Sequence, residues 1–314
     1  MLRNKQWFGG IIVSLVLLTG LCSSGWAATG GSHFTYGIDG LQAPTLPPPG
    51  LHYIMYNLWY DTGTYKDNGG HTLHKPGGNT DVTVFASVQR LIYTTNIKIL
   101  GADYGMDLIV PLLYQNVNVG YGPAQSSSFT LGDIMFEPFD LGWHTPHWDV
   151  LFLVAIVFPT GSFRADDPSS PGMGYWAGST AVGATYYFDE QKTWSASAVL
   201  RWMINFDSQK DTNITPGDEL ILEYGIGKEF AAGNDWRIRP ALIGADYWQI
   251  TDDSGGNARY PVNYDQKQGH AAGAEVNVMY LPALFQVNLR LLQDYGVHNG
   301  PSGTRCFLTF VKSF

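Results

Sequence analysis

The sequence predicts an all-β protein: a transmembrane, antiparallel, up-and-down β-barrel of about twelve strands, with fourteen as the alternative. Three observations predict it. Segments of about ten residues alternate apolar and polar side chains along most of the chain. The connections between them are long and short in turn. The composition is 45% hydrophobic and 14% aromatic but only 14% charged, against roughly 25% charged in soluble domains.

Residues 1–27 read as a secretory signal peptide. Arg3 and Lys5 precede an apolar core at 11–21, and Gly25 and Ala27 put small residues at the cleavage site. That core is too short to span a bilayer as a helix. Leu21 is too bulky to precede a lipidated Cys22. Cleavage removes two bases and no acid, so the net charge moves from −9 to −11. That excludes nucleic acid as a partner. Cys306 is then left alone, which forbids an intrachain disulfide and suits a small apolar wall residue. The longest later apolar run, 150–158, has nine residues, far short of the roughly 20 a transmembrane helix needs.

Residues 28–50 do not read as a strand, because Pro47, Pro48 and Pro49 cannot feed a sheet ladder. They form either a periplasmic tail or a plug in the lumen. Phe34, Tyr36 and Leu41 favour the plug.

Residues 51–314 are the barrel. The expected strands are 52–62, 81–93, 98–114, 130–143, 148–161, 175–188, 194–206, 218–230, 236–250, 267–281, 284–296 and 303–314. The apolar parity of each is expected to face lipid. In the first two strands that parity holds Ile54, Tyr56, Leu58 and Tyr60, then Val82, Val84, Ala86 and Val88. In the third it holds Tyr104, Met106, Leu108, Val110 and Leu112. The same pattern runs from Trp176 to Tyr186, Trp194 to Phe206, Leu220 to Ile226, Trp236 to Leu242, Ala274 to Tyr280 and Phe285 to Leu291. A hairpin hidden in the N-terminal segment or a long loop would raise the count to fourteen.

The connections check this independently. Those at 63–80, 115–129, 162–174, 207–217 and 251–266 are long, those at 94–97, 144–147, 189–193, 231–235 and 282–283 are short, and the last, near 297–302, is only moderate. Outer-membrane barrels have long extracellular loops and short periplasmic turns, whereas soluble sandwiches have no reason for such regularity. Trp194 and Trp202 share one face eight residues apart, which is roughly 20 Å of depth in a tilted strand. With Trp176, Tyr186, Trp236 and Trp248 they form the expected aromatic girdles. The chain ends on Phe314, an aromatic terminus suited to the barrel-assembly machinery, although Lys312 breaks the apolar parity there.

Charges then fall inward: Arg201, Glu223, Arg237, Arg239, Glu275 and Arg290 in the later strands, Asp103 and Asp107 in the third, and Asp133 and Glu137 in the fourth, where Pro138 marks a possible bulge. They make either a charge ladder that satisfies buried polar groups or a constriction that selects solutes. If 282–283 is a two-residue turn, Glu275 opposes Arg290, Asn277 opposes Asn288 and Val276 opposes Leu289. Arg201 and Glu223 lie at matching depths of neighbouring strands and are expected to meet.

The stretches KILGADYGMDLIVP (98–111), LGDIMFEPFDLGWH (131–144), FPTGSF (158–163) and Gly174-Tyr175-Trp176 resemble, in that order, the meta-pathway phenol-degradation protein family. The resemblance runs from about Pro49 to Phe314. It implies an exported outer-membrane barrel of Gram-negative bacteria and uptake of small hydrophobic or aromatic compounds. Read physically, Pro159-Thr160-Gly161 ends an apolar strand, and Asp133 caps a loop or lines the mouth.

Chemistry of other classes is not evident. The histidines fall mostly in loops and turns; pairs such as His71/His74 and His144/His147 are poor metal sites, and no Gly-x-Ser-x-Gly elbow accompanies them. The expectation is a monomeric passive channel with no cofactor, no metal and no enzymatic activity. Its partners are outer-membrane lipids, the assembly machinery and a small apolar or aromatic solute. Tyr121, Phe129, Phe163, Tyr175 and Tyr260 are candidates for the entrance. The alternatives are a structural or adhesive barrel that transports nothing and an outer-membrane lipid hydrolase.

Overall fold

A computed structural model describes residues 32–74, 80–118 and 125–314. The signal-peptide reading and Tyr121 lie outside the described residues. Twelve strands form one closed antiparallel sheet: β1 (Gly50–Thr62), β2 (Asp81–Ile99), β3 (Ala102–Asn118), β4 (Ile134–His144), β5 (Trp148–Phe158), β6 (Ala177–Tyr187), β7 (Trp194–Ile204), β8 (Glu219–Lys228), β9 (Trp236–Gln249), β10 (Gln268–Tyr280), β11 (Phe285–His298) and β12 (Thr304–Ser313). Each pairs with its sequence neighbours, and β1 closes the barrel on β12, with Tyr56 opposite Thr309. Short two- and three-residue strands decorate the connections.

The turns explain the differences from the expected boundaries. The first short turn is not at 94–97 but at Leu100-Gly101, where both residues have positive φ (51° and 81°) and Ile99 pairs with Ala102. That is the primed geometry a two-residue hairpin needs. The stretch that read as a turn is a bulge, in which Thr95 Oγ1 donates to the Tyr104 carbonyl and accepts from the Ile97 amide. The register also shifts between Phe136 and Phe139, around Pro138. At the β10–β11 hairpin the turn spans four residues rather than two, a 3-10 turn at Leu281–Ala283 followed by left-handed Leu284. The register is unchanged: Glu275 faces Arg290, Asn277 faces Asn288 and Val276 faces Leu289.

The outer face of β7 carries Trp194 and Trp202, each 42% exposed, while Ser195, Ser197 and Arg201 are buried. Trp176 and Trp236 are also exposed on the outside. Tyr186 and Trp248 are half-buried and pack on ring neighbours, Tyr186 on Trp148 and Trp248 on His270.

In β1 and β2 the expected parity is reversed. Tyr56, Leu58, Tyr60, Val82, Val84 and Ala86 are buried, and Trp59, Leu91 and Tyr93 are exposed. The physical reason lies inside the barrel. Residues 32–49 run through the lumen with Phe34, Tyr36, Ile38, Leu41 and Leu46 buried, and most of these cluster with the inward apolar residues of β1 and β2. An apolar inner wall is stable where an apolar segment covers it. The polar residues that consequently face outward satisfy one another, as Ser87 Oγ does by donating to Asn57 Oδ1 at 2.9 Å.

The segment is bonded around much of the wall. Glu223 accepts from the amides of Gly37 (2.8 Å) and Asp39 (3.0 Å). Ser197 accepts from the Gln42 amide at 3.1 Å, and Thr45 donates to Asp149 at 3.1 Å. Wall glycines make room for it: a Cβ on Gly142 would lie 2.7 Å from Leu46 Cβ.

Candidate functional site

Two cavities flank the luminal segment. Toward the long loops, a cavity of about 120 Å³ is walled mainly by Phe34, Leu58, Ala86, Val88, Leu113 and Met135. Toward the short turns, one of about 220 Å³ is lined by polar groups including His52, Asp140, Arg239, Asn277 and Arg290. Asp39, Tyr56 and Arg90 line both. Arg90 therefore stands where an apolar compartment gives way to a polar one.

Arg90 is held by an ion cluster. It pairs with Asp107 and, at 2.9 Å, with Glu137. Arg201 reaches the other oxygen of Glu137 at 3.3 Å and Asp39 of the segment at 3.8 Å, and its guanidinium lies 4.1 Å from the Phe34 ring centroid. All these side chains except Arg90 are almost fully buried, so the pairing offsets a large desolvation cost. A second cluster ties the segment to β11 and β12. Arg305 bonds Asp294 at 2.9 Å and stacks 3.9 Å over Tyr36, while Tyr60 donates to Asp294 at 3.2 Å.

The structure separates the ten charged residues that the sequence placed inside. Arg201, Glu137 and Asp107 belong to the Arg90 cluster. Arg201 does not meet Glu223: the register puts Val199 opposite Glu223 and Ile221 opposite Arg201. Glu223, Arg239, Glu275 and Arg290 bind the luminal segment instead, Arg239 through Gln42 and Arg290 through the Ile38 carbonyl. Asp103 sits at the short-turn end beside Lys98, with His144 at 3.7 Å. Arg237 is at the same end, half-buried and 3.8 Å from Glu229. These charges therefore form no single ring; depth along the strands and the segment's own polar groups divide them.

Asp133 lies at the long-loop end and organises a knot of backbone. It accepts from the amides of Gly161 (2.9 Å) and Met173 (2.7 Å), and His33 Nδ1 lies 3.2 Å away. Thr160 Oγ1 donates to the Gly132 carbonyl and accepts from the Ile134 amide. Gly161 and Gly172 touch so closely that a Cβ on Gly172 would lie 2.4 Å from the Gly161 oxygen. Tyr175, fully buried, meets His33 edge-on at 4.5 Å. The Gly-Asp, Pro-Thr-Gly and Gly-Tyr-Trp stretches are thus parts of one loop anchor that also grips the luminal segment. Phe163, Tyr175 and Tyr260 are buried within the loops, and exposed Phe129 packs on Phe85 of the outer face. These four do not form an aromatic entrance: the loops cover three of them, and Phe129 faces outward.

Sequence reasoning missed Arg90, Asp39, Asp140, Asp294 and Arg305. For Arg90 a signal was present: it continues the parity of Val82–Val88, and an arginine there contradicts a lipid-facing assignment. Oxygens of Asp107, Glu137 and Asp140 also approach within 4.8 Å of one another, close enough to share a cation.

The fold is that of outer-membrane barrels. It is similar to an outer membrane channel from Pseudomonas putida, with a TM-score of 0.71 at 15% identity over 88% of this chain and 100% of that one. It is also similar to the β domain of a Bordetella autotransporter, with a TM-score of 0.51 at 9% identity over 84% of this chain and 100% of that one. Comparison with curated protein sequences gave no match. The family model described as "Putative MetA-pathway of phenol degradation" matches residues 62–310. With most of the barrel inside that match, the chain belongs to this family.

Proposed function

We propose that the protein is a passive port of the Gram-negative outer membrane, delivered there by a cleaved signal peptide, for small apolar or aromatic compounds. The observation that carries this reading is the apolar cavity of about 120 Å³ on the long-loop side of the segment. An apolar cavity of roughly 150 Å³ is enough to hold benzene, so a single ring fits this one once the segment gives slightly. A single aromatic ring entering between the loops finds an apolar wall from β1, β2 and β3. Arg90, Asp39 and Tyr56 then separate it from the polar cavity that leads toward the short turns. Passage is diffusive and requires the segment to shift past that point. No chemical step is assigned to the chain. Its other partners are the surrounding lipids and the barrel-assembly machinery.

The test is influx of phenol or toluene into proteoliposomes. The wild-type barrel is expected to speed influx over empty liposomes, and Val88→Asp to remove most of the gain while the barrel stays folded. Influx equal to that of empty liposomes would leave a structural or adhesive barrel as the better reading. Release of fatty acid from the liposome lipids would instead favour the hydrolase.

A further inference from the structure

Asp140 on β4 is 1% exposed, and neither of its carboxylate oxygens has a hydrogen-bond partner. It lines the polar cavity of about 220 Å³. Across from it stands the Arg90 cluster, where Asp107 Oδ1 is also buried without a partner. One oxygen from each of Asp107, Glu137 and Asp140 lies within 4.8 Å of the others, and Asp107 and Asp140 stand on adjacent strands.

The charges around that spot do not balance. Asp39, Asp107, Glu137 and Asp140 bring four carboxylates, and Arg90 and Arg201 bring two guanidiniums. With every carboxylate ionised the excess is two negative charges in a largely dry interior, which is costly without a counter-charge. The two arginines already occupy both oxygens of Glu137 and one of Asp107. What remains is a set of buried oxygen donors, of which those of Asp140 belong to a residue that lines the cavity. Oxygen-only donor sets suit hard cations such as Ca²⁺ and Mg²⁺ and do not suit zinc or copper.

We propose that Asp140 and Asp107 bind one hydrated divalent cation, Ca²⁺ or Mg²⁺, drawn from the polar cavity. One such ion cancels the excess of two. The neighbouring guanidiniums weaken its hold, so the affinity belongs with weak extracellular sites, on the order of 10⁻⁴ to 10⁻³ M. The ion would hold β3 and β4 together beside Arg90 and make the charge of the passage depend on divalent concentration.

The test uses the full mature chain refolded in neutral detergent, dialysed against CaCl₂ or MgCl₂, with NaCl of equal ionic strength as control. Bound metal is counted by elemental analysis and thermal stability is followed by tryptophan fluorescence. The expected result is close to one ion per chain and a rise in Tm with one or both divalent salts but not with NaCl. Asp140→Asn should lose both effects, and Glu190→Gln, an exposed turn carboxylate, should keep both. Three results would overturn the site: no bound ion at about 10 mM of either salt, binding that Asp140→Asn leaves intact, or a Tm raised by Asp140→Asn in metal-free buffer with no response of the wild type to divalents. The last would mean that a proton, not a metal, neutralises Asp140. Should Asp140→Asn fail to fold, the wild-type titrations decide alone, since absence of a divalent-specific response overturns the proposal.

Discussion

Glu275 on β10 and Arg290 on β11 are direct cross-strand partners, both buried, with Arg290 Nε 3.7 Å from Glu275 Oε2. Each also holds the luminal segment: Glu275 accepts from the Leu41 amide at 3.3 Å and Arg290 donates to the Ile38 carbonyl. The pair therefore serves the wall and the segment at once. Removing one partner of a buried pair costs about 3–5 kcal/mol. Glu275→Arg and Arg290→Glu are each expected to lower the denaturant midpoint of the barrel accordingly. The double exchange should recover part of the midpoint, because acid again faces base. It should not restore the segment, because a glutamate at 290 cannot donate to Ile38. Urea unfolding reads the first effect and limited proteolysis of residues 32–49 reads the second. A double exchange no more stable than either single would refute the register.

Asp133 joins three stretches that are far apart in sequence. Asp133→Ala leaves the Gly161 and Met173 amides without their acceptor, at about 1–3 kcal/mol for each buried donor. Faster proteolytic cutting within 159–176 is expected, with the heat-modifiable gel mobility of the barrel unchanged. Asp133→Asn keeps one acceptor oxygen and should fall between. Equal cutting in all three proteins would show that the glycine contact, not the carboxylate, holds the loop.

The barrel was legible because its constraints are periodic. Trp194 and Trp202 fixed which parity of β7 meets lipid, and Pro282 fixed the depth at which Glu275 meets Arg290. The reversal in β1 and β2 was hidden by the same rule. Tyr56, Leu58 and Val88 are as apolar as any lipid-facing set, and apart from Arg90 on the same parity only contact with Phe34 and Ile38 distinguishes their direction. That contact joins residues of two different segments, far apart in sequence, without a periodic signature. Asp39 and Asp140 were missed for a related reason: a polar side chain in an irregular segment, or after a bulge, has no parity to read. The bulge at Pro138 shifted the phase between Glu137 and Asp140, so both point inward.

Arg90 separates the two cavities and pairs with two acids. Arg90→Ala leaves Asp107 without its base, while Glu137 keeps Arg201. The expected outcome is destabilisation of about 3–5 kcal/mol, together with higher ionic conductance in planar bilayers because the side chain between the compartments is gone. Arg90→Lys keeps the charge but cannot bridge two carboxylates with a planar fork. It should recover part of the stability. An Arg90→Ala barrel as stable as wild type would mean that Asp107 is neutral in the native protein.

Gly142 offers a way to move the segment without touching its polar anchors. A Cβ there would meet Leu46 Cβ at 2.7 Å, Leu46 Cδ2 at 3.1 Å and His144 Nε2 at 3.2 Å, all of them side-chain atoms. Valine favours the strand conformation more than glycine does, so the wall itself should gain rather than lose. Gly142→Val is therefore expected to fold with normal gel mobility while pushing Leu46 and its neighbours off the wall. The luminal segment then loosens from its short-turn end, next to the polar cavity. Conductance should rise, and residues 43–49 should be cut by protease added on the short-turn side. Unchanged conductance with proven displacement of Leu46 would show that residues 32–42, bound at Glu223 and Glu275, are what limits flow.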